Sequence, residues 1–261
     1  MRIALAQVTT TPEPQANLRL VEEHVARAAR DEAEVVVLPE ATMRCFGGGR
    51  LDEVAESLDG PWADAVAATA VDQGVWVVAG MFTPADGGRV SNTLLVAGPG
   101  GERASYDKVH LYDAYGFRES DTVAPGSSPV TIELAGTRVG LATCYDVRFP
   151  GLFTALAREG AQVVLLPASW GAGPTKVEQW RTLVRARALD ATVFVAAAGQ
   201  APPPGAQGSA PTGVGHSMVV GPTGQVLGEL GERPGLLVLD VDPGEVASAR
   251  TSLPVLDNAR L

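Results

Sequence analysis

Cys144 stands where an apolar run of the sequence ends and a more polar segment begins. Residues 139–142 read Val-Gly-Leu-Ala, and Pro150 and Gly151 follow the cysteine closely. A buried strand ending here would present the thiol at the mouth of a sheet, where α/β proteins place their chemistry. A thiol becomes a nucleophile when a base or a nearby positive charge ionises it. We therefore predict Cys144 as a nucleophile; the alternative is a buried cysteine that packs as a small apolar side chain.

Two other residues are suited to assist that thiol. Glu40 directly follows Val-Val-Val-Leu-Pro, so its carboxylate is predicted at the end of a buried strand, where partial burial raises its proton affinity. Lys108 begins a short apolar segment, and its ammonium could stabilise the negative oxygen of a tetrahedral intermediate. With Cys144 they make a complete set for acyl transfer. The simpler alternatives are that Glu40 caps a helix or turn and that Lys108 is a surface lysine.

A histidine is the other base that a cysteine commonly uses. His110 and His216 lie in plausible strand-end or loop positions, but neither stands in a cysteine-protease signature. The sequence has no His-x-x-x-His or Cys-x-x-Cys spacing, so no metal site is predicted. Cys45 is the only other cysteine, which is too few for a disulfide framework, and we predict a structural role for it.

Composition limits the classes of partner. The 261 residues carry a formal net charge of −10 without a basic cluster, which argues against nonspecific binding to nucleic acids or anionic membranes. Small molecules are the expected partners. Apolar residues begin at once without a signal-peptide pattern, and no apolar run approaches a membrane span, so we expect a cytoplasmic protein. Glycine-rich segments match neither G-x-G-x-x-G nor a P-loop, which argues against nucleotide binding.

Apolar runs alternate with amphipathic stretches in two similar halves, which predicts one α/β domain over residues 1–261. Strands are predicted at residues 3–8, 35–38, 75–81, 92–97, 139–143, 163–166, 193–198 and 217–220. Helices are predicted at residues 16–30, 51–72, 152–158 and 177–190. The Pro/Gly-rich residues 201–213 are predicted as a loop that is either a lid or an exposed excursion.

The two halves also share short segments. Val-Val-Val-Leu-Pro-Glu at residues 35–40 resembles Val-Val-Leu-Leu-Pro-Ala at residues 163–168, and Val-Ala-Gly-Pro at 96–99 resembles Val-Val-Gly-Pro at 219–222. Two related half-sheets that face each other would bring corresponding strand ends together. This arrangement predicts that Glu40 and Cys144 meet in space.

Three motifs now give the chain a family resemblance over essentially its full length. LPEAT around Glu40, YDKVHLYD around Lys108 and CYDVRFP around Cys144 resemble, in this order, the motifs of the nitrilase (carbon–nitrogen hydrolase) superfamily. The resemblance implies a four-layer α-β-β-α sandwich with Cys144 as nucleophile, Glu40 as general base and Lys108 supporting the tetrahedral intermediate. It also implies that the backbone N–H of Tyr145 helps to bind the oxyanion.

The resemblance carries further expectations. A second family glutamate matches Glu119, which would orient the lysine and shape the pocket; a purely structural ion pair is the alternative. No cofactor is implied. Members of the superfamily usually form homodimers or larger homo-oligomers through helices near the site, and the tail at residues 251–261 could extend across a partner.

The residues after the cysteine bear on the substrate. Tyr-Asp-x-Arg-Phe resembles the ω-amidase and deaminated-glutathione amidase branches, which implies an amide that carries a carboxylate. Trp170 stands at the end of a predicted strand and is a candidate for the pocket wall; the alternative is that it covers the core. Arg148 could bind that carboxylate, or it could pair with Asp146 or Glu178. Where many relatives carry Glu, this chain has Gly151. The alternatives are an N-carbamoyl amine hydrolase or a nitrilase with the same site, and a non-catalytic binding or scaffold protein on the same fold.

Overall fold

The computed structural model describes residues 1–205 and 210–260. Fifteen strands and six α-helices lie in the described part of the chain. Their bounds are β1 Arg2–Gln7, α1 Pro14–Arg30, β2 Val35–Val37, α2 Pro61–Gln73, β3 Trp76–Pro84, β4 Val90–Ala97, β5 Arg103–Asp107, β6 Asp113–Ala114, β7 Phe117–Arg118, β8 Val123–Ala124, β9 Thr131–Leu134, β10 Thr137–Leu141, α3 Pro150–Arg158, β11 Val163–Ala168, α4 Lys176–Ala191, β12 Phe194–Gly199, β13 Met218–Val220, β14 Val226–Glu229, β15 Gly235–Asp240, α5 Gly244–Ser252 and α6 Val255–Asn258.

The strands form two large sheets with the same internal plan. The first has the order β15-β1-β2-β3-β4-β5 with β8 beside β4, and the second has the order β14-β13-β12-β11-β10-β9. In each sheet three parallel strands are followed by an antiparallel one, β1 to β4 in the first and β10 to β13 in the second. This recurrence confirms the prediction of two similar halves.

Successive side chains of the central strands point to opposite faces of each sheet, and this alternation produces the layers. Val35 and Val37 of β2 pack in a shared core with Val163 and Leu165 of β11, so this core lies between the two sheets. Val36 faces the opposite side and packs with α1 and α2. The second sheet buries its other face against α3 and α4 in the same way. Each fully buried aliphatic side chain contributes about 1.5–3 kcal/mol. The predicted α-β-β-α sandwich is confirmed.

The helix predicted at residues 51–72 begins only at Pro61. Proline lacks an N–H and is accommodated in the first turn of a helix, so the sequence ahead of it forms turns instead. The carboxylate of Glu56 accepts the N–H groups of Trp62 and Ala63 at 2.6 and 2.9 Å. These donors would otherwise lack partners at the helix start, and Glu56 therefore defines where α2 begins.

The C-terminal part of the chain supplies β15, an edge strand of the first sheet. β15 pairs antiparallel with β1 along its whole length, and Leu256 of α6 packs against the helix side of the second sheet. Leu253 remains 51% exposed. Association into homo-oligomers through helices near the site, with this tail extending across a partner, stays a prediction.

The loop predicted at residues 201–213 has no regular secondary structure at 201–205 and 210–213, and its residues 206–209 lie outside the described part of the chain. Over residues 1–205 and 210–260, none of the helices is both long and apolar enough to cross a membrane.

Candidate active site

Glu40 lies just past β2, in a turn that buries it completely. Just beyond β2, the N–H of Leu38 donates to the carbonyl of Val78 in β3 at 2.8 Å, and the N–H of Gly80 in β3 donates to the carbonyl of Pro39 at 3.2 Å. The carboxylate accepts the backbone N–H of Ser169, beyond β11, at 2.8 Å. The ends of the corresponding strands β2 and β11 are thereby joined through Glu40. The alternative role of a helix or turn cap for Glu40 is wrong, because its partners lie far away in sequence.

Gly80 makes this turn possible. A Cβ at position 80 would lie 2.4 Å from the backbone nitrogen of Ala41 and 2.8 Å from the carbonyl carbon of Glu40. We expect Gly80→Ala to displace the carboxylate of Glu40, the predicted general base, and to lower kcat/KM for amide hydrolysis by at least about 10-fold, since small misplacements of such a group are costly. Steady-state kinetics measures the change. Gly151→Ala is the matched control, because a Cβ there has nothing within 4 Å; an equal loss in both variants would contradict the explanation.

Lys108 follows β5 directly and is 1% exposed. Its ammonium donates to Glu40 Oε1 at 2.9 Å and to Glu119 Oε2 at 2.8 Å. The alternative of a surface lysine is therefore wrong. Since an ammonium has three protons, one remains for a further acceptor. The short segment after Lys108, predicted as apolar, lies outside regular secondary structure up to β6.

Asn92 of β4 joins the two carboxylates, and the sequence analysis missed it. Its side-chain amide donates to Glu40 Oε1 and to Glu119 Oε1, each at 2.8 Å. Glu119 also accepts the N–H of Tyr112 at 2.7 Å and is 2% exposed. The sequence offered only a weak signal, because Asn92 stands at the start of the strand predicted at residues 92–97, beside Ser91 and Thr93. A buried amide at such a position needs hydrogen-bond partners.

Cys144 opens a 3-10 turn, Cys144–Arg148, just after β10. Its backbone has a φ of +46°, a left-handed conformation that costs a non-glycine residue of the order of 1–3 kcal/mol. Asp146 holds the turn by accepting the N–H of Thr143 at 2.8 Å, the hydroxyl of Tyr106 at 2.7 Å and the N–H of His110 at 3.0 Å. The strained backbone is thus supported by a buried carboxylate.

Burial and charge set the ionisation of the site. Burial, and next the negative charge of Glu40, raise the pKa of the Cys144 thiol well above its ordinary value, against the opposing effect of Lys108. For Lys108, burial works to lower the pKa, but the charges of Glu119 and Glu40 outweigh it and raise the pKa well above its ordinary value. The resting site therefore holds a neutral thiol and a charged ammonium at neutral pH.

The thiol lies in a small pocket that contains about 310 Å³ of free space, part of it open to solvent. The sulfur is 3.7 Å from the carbonyl oxygen of Ser169. The predicted residues Tyr145 and Trp170 both line this pocket. Its full lining is Glu40, Phe46, Lys108, Tyr112, Glu119, Cys144, Tyr145, Ser169, Trp170, Gly171, Lys176 and Pro211.

Arg148 has neither of the acidic partners considered from the sequence. Its guanidinium donates to Gln179 at 2.7 Å and lies over the ring of Trp170, 5.0 Å from the centroid. Glu178 instead pairs with Arg181. In the described part of the chain, Arg148 forms no ion pair with a carboxylate.

The histidine alternative for the base is wrong. Neither histidine lines the pocket around the thiol in the described residues. His110 pairs through Nδ1 with Asp146 at 2.7 Å and stacks on Phe149, whereas His216 pairs with Glu229 at 3.0 Å.

Fold and site together define the class of the protein. A thiol at a strained turn, a buried carboxylate and a buried ammonium meet where two related half-sheets end. This is the composition of an enzyme that transfers an acyl group through a cysteine nucleophile.

The family follows from comparison with known proteins. The profile of the family described as carbon-nitrogen hydrolase matches residues 2–251. The chain is 54% identical to a hydrolase of Mycobacterium tuberculosis over 99% of this chain and 95% of that protein. It is 34% identical to the deaminated glutathione amidase of Escherichia coli O157:H7 (100% and 97%) and 33% identical to human omega-amidase (99% and 95%).

A solved structure agrees with this assignment. The amidase from Nesterenkonia sp. AN1 superimposes with a TM-score of 0.85 at 34% sequence identity, covering 100% of this chain and 96% of that one. The chain belongs to the carbon-nitrogen hydrolase family, and the predicted resemblance to the nitrilase superfamily is confirmed.

Proposed function

We propose that this protein hydrolyses the amide bond of a small molecule that carries a carboxylate, releasing ammonia through a thioester on Cys144. The observation that carries the proposal is the hydrogen-bonded cluster of Glu40, Lys108 and Glu119 in the pocket that contains the thiol. The relatives that are named amidases support the same reaction type.

In the first half-reaction, Glu40 takes the thiol proton as the sulfur attacks the amide carbon. The raised pKa of the thiol makes this base necessary, because little thiolate exists before substrate binds. The oxyanion accepts hydrogen bonds from the third N–H of the Lys108 ammonium and from the backbone N–H of Tyr145. Tyr145 lies in the first turn of the 3-10 helix, so its N–H has no partner within that helix. Glu40 then protonates the leaving nitrogen, and ammonia departs.

In the second half-reaction, water resolves the thioester. Glu40 removes a proton from water, and the resulting hydroxide attacks the acyl carbon. The negative oxygen again accepts hydrogen bonds from the Lys108 ammonium and the N–H of Tyr145. The carbon–sulfur bond breaks, the acid leaves, and the proton on Glu40 returns to the sulfur. Glu119 keeps Lys108 in place throughout, since it accepts from Nζ at 2.8 Å without facing the reacting carbon in this scheme.

Arg148 is the cation near the pocket wall that would bind the carboxylate of the substrate. Arg148 extends from the turn that carries Cys144 and is stacked on Trp170, a residue of the pocket. A guanidinium fork matches a carboxylate in geometry and charge, so Arg148 is suited to orient the acid end of the substrate.

A panel of matched substrates tests the proposal. The purified protein is incubated with succinamate, butyramide, an N-carbamoyl amine of equal length and butyronitrile, and ammonia, carbon dioxide and acid products are measured by enzymatic assay and mass spectrometry. We expect ammonia and succinate from succinamate at the highest kcat/KM. Carbon dioxide from the carbamoyl compound or consumption of the nitrile at a higher kcat/KM would replace the amide assignment, and turnover of none would contradict it.

A further inference from the structure

Lys176 is a buried cation on the wall of the pocket that the mechanism above does not use. It is the first residue of α4, only 6% of its surface is exposed, and it lines the same cavity as Cys144. The carbonyl oxygen of Lys176 accepts the indole N–H of Trp170 at 2.9 Å, which fixes the start of α4 against this wall.

Aromatic rings surround the ammonium of Lys176. Its Nζ lies 3.7 Å from the ring centroid of Tyr115 and 5.7 Å from the centroids of Tyr112 and Trp170. Ring faces attract a cation but offer it no negative charge to neutralise. The rings therefore hold the side chain in the pocket and leave its charge uncompensated.

No carboxylate compensates this charge within residues 1–205 and 210–260. Neither Lys176 nor Arg148 takes part in an ion pair there, whereas Lys108 has two carboxylates within 2.9 Å. The remaining residues of the 201–213 loop, 206–209, are Ala-Gln-Gly-Ser and contribute no acid. Burial, and next the positive charge of Arg148, lower the pKa of Lys176, as expected for a cation without a counter-ion.

Lys176 and Arg148 both lie close to the ring of Trp170, and Arg148 is near enough for its charge to act on the Lys176 ammonium. Arg148 stacks on Trp170 with its Cζ 5.0 Å from the ring centroid, and Lys176 Nζ is 5.7 Å from the same centroid. They come from different elements, the turn after β10 and the start of α4. Of the two, Lys176 is buried and Arg148 is half-buried. A buried cation is usually paired with an anion, so this wall of the pocket is suited to bind a negatively charged group of a ligand.

We propose that Lys176 determines substrate specificity by binding, together with Arg148, the carboxylate of the substrate. The inference rests on the proposed function, since it names the residue that selects the acid end of the amide. The two oxygens of a carboxylate can accept from the ammonium and the guanidinium at the same time, while Trp170 packs against the methylene groups between the acid and the amide. Lys108, whose ammonium is already paired with Glu40 and Glu119, keeps its third N–H for the oxyanion.

Substitution of Lys176 tests the inference through the preference of the enzyme for an amide with a carboxylate over one without. For Lys176→Met, we expect the ratio of kcat/KM for succinamate to kcat/KM for butyramide to fall about 10- to 100-fold, because a charge-assisted hydrogen bond made by the carboxylate is lost. Lys176→Arg keeps the positive charge and should retain most of the preference. Arg19→Gln, which removes one exposed charge on α1, is the matched control and should leave the ratio unchanged.

A binding measurement keeps the inference separate from the proposed function. Titration calorimetry of succinamate with the Cys144→Ala protein, with and without Lys176→Met, measures affinity without turnover, and we expect a loss of about 10-fold or more. If the parent enzyme turns over no amide but Lys176→Met still weakens binding, the amide reaction is wrong and the anion site stands. Unchanged affinity together with an unchanged kcat/KM ratio overturns the inference.

Discussion

Cys144→Ala is expected to lower amide turnover by at least about 10⁴-fold while the protein stays folded. In the proposed mechanism the sulfur forms the thioester in the first half-reaction and is its leaving group in the second, so no other residue of the pocket replaces its bond to carbon. The substitution also removes only one atom from a buried side chain, so the cost in stability is small. Ammonia release from succinamate and thermal unfolding measure the two effects.

The other cysteine provides the control for this experiment. Cys45 lies near Glu13 and does not line the pocket, although its neighbour Phe46 does, so Cys45→Ala should retain activity. In the parent enzyme, acid quenching during turnover should trap an added succinyl group, and peptide mapping by mass spectrometry should place it on Cys144. A succinyl group elsewhere, or full turnover by Cys144→Ala, refutes the role of this thiol.

Glu40→Gln should reduce turnover by about 10²- to 10⁴-fold, the usual contribution of a general base. The amide keeps the shape of the side chain and an oxygen that can accept from Lys108. It loses the negative charge, which is the second largest cause of the raised pKa of Cys144. The thiol pKa should therefore fall in the variant, so that thiolate forms at lower pH than in the parent enzyme although turnover is lost.

These opposite changes distinguish a base from a merely structural carboxylate. The rate of alkylation of Cys144 by iodoacetamide, followed against pH by mass spectrometry, should rise at lower pH in Glu40→Gln than in the parent. Glu22→Gln, an exposed position on α1, is the control and should leave both profiles unchanged. An alkylation profile identical to that of the parent, together with normal turnover, would remove Glu40 from the mechanism.

The central strands of both sheets could be predicted from sequence because burial on two faces leaves long apolar runs. β2 and β11 are examples, and both lie at or near their predicted positions. The outer strands could not be predicted in the same way. β5, β9 and β14 are short and half-exposed, so their sequences mix polar and apolar residues without a clear pattern. Their strand geometry depends on pairing with a neighbour that is already in place.

The start of α2 shows where local signals outweigh periodicity. The apolar spacing over residues 51–72 suits a helix, but Gly60 and Pro61 and the capping carboxylate of Glu56 delay its beginning to Pro61. A proline at the first helical position was visible in the sequence. The role of Glu56 was not, because it depends on how the preceding turn folds.

The two related halves, the buried strands and the three motifs that carry Glu40, Lys108 and Cys144 could all be predicted from the amino-acid sequence. Each of these depends on local order along the chain, namely apolar runs, their repetition and the residues that follow them. The pairing of charged and polar side chains, in contrast, depends on the folded arrangement of the two sheets. Asn92 bridges Glu40 and Glu119, and Lys176 is buried with no carboxylate in an ion pair with it among residues 1–205 and 210–260. Both properties depend on side chains far apart in sequence, which the facing sheets bring within hydrogen-bond distance or keep apart.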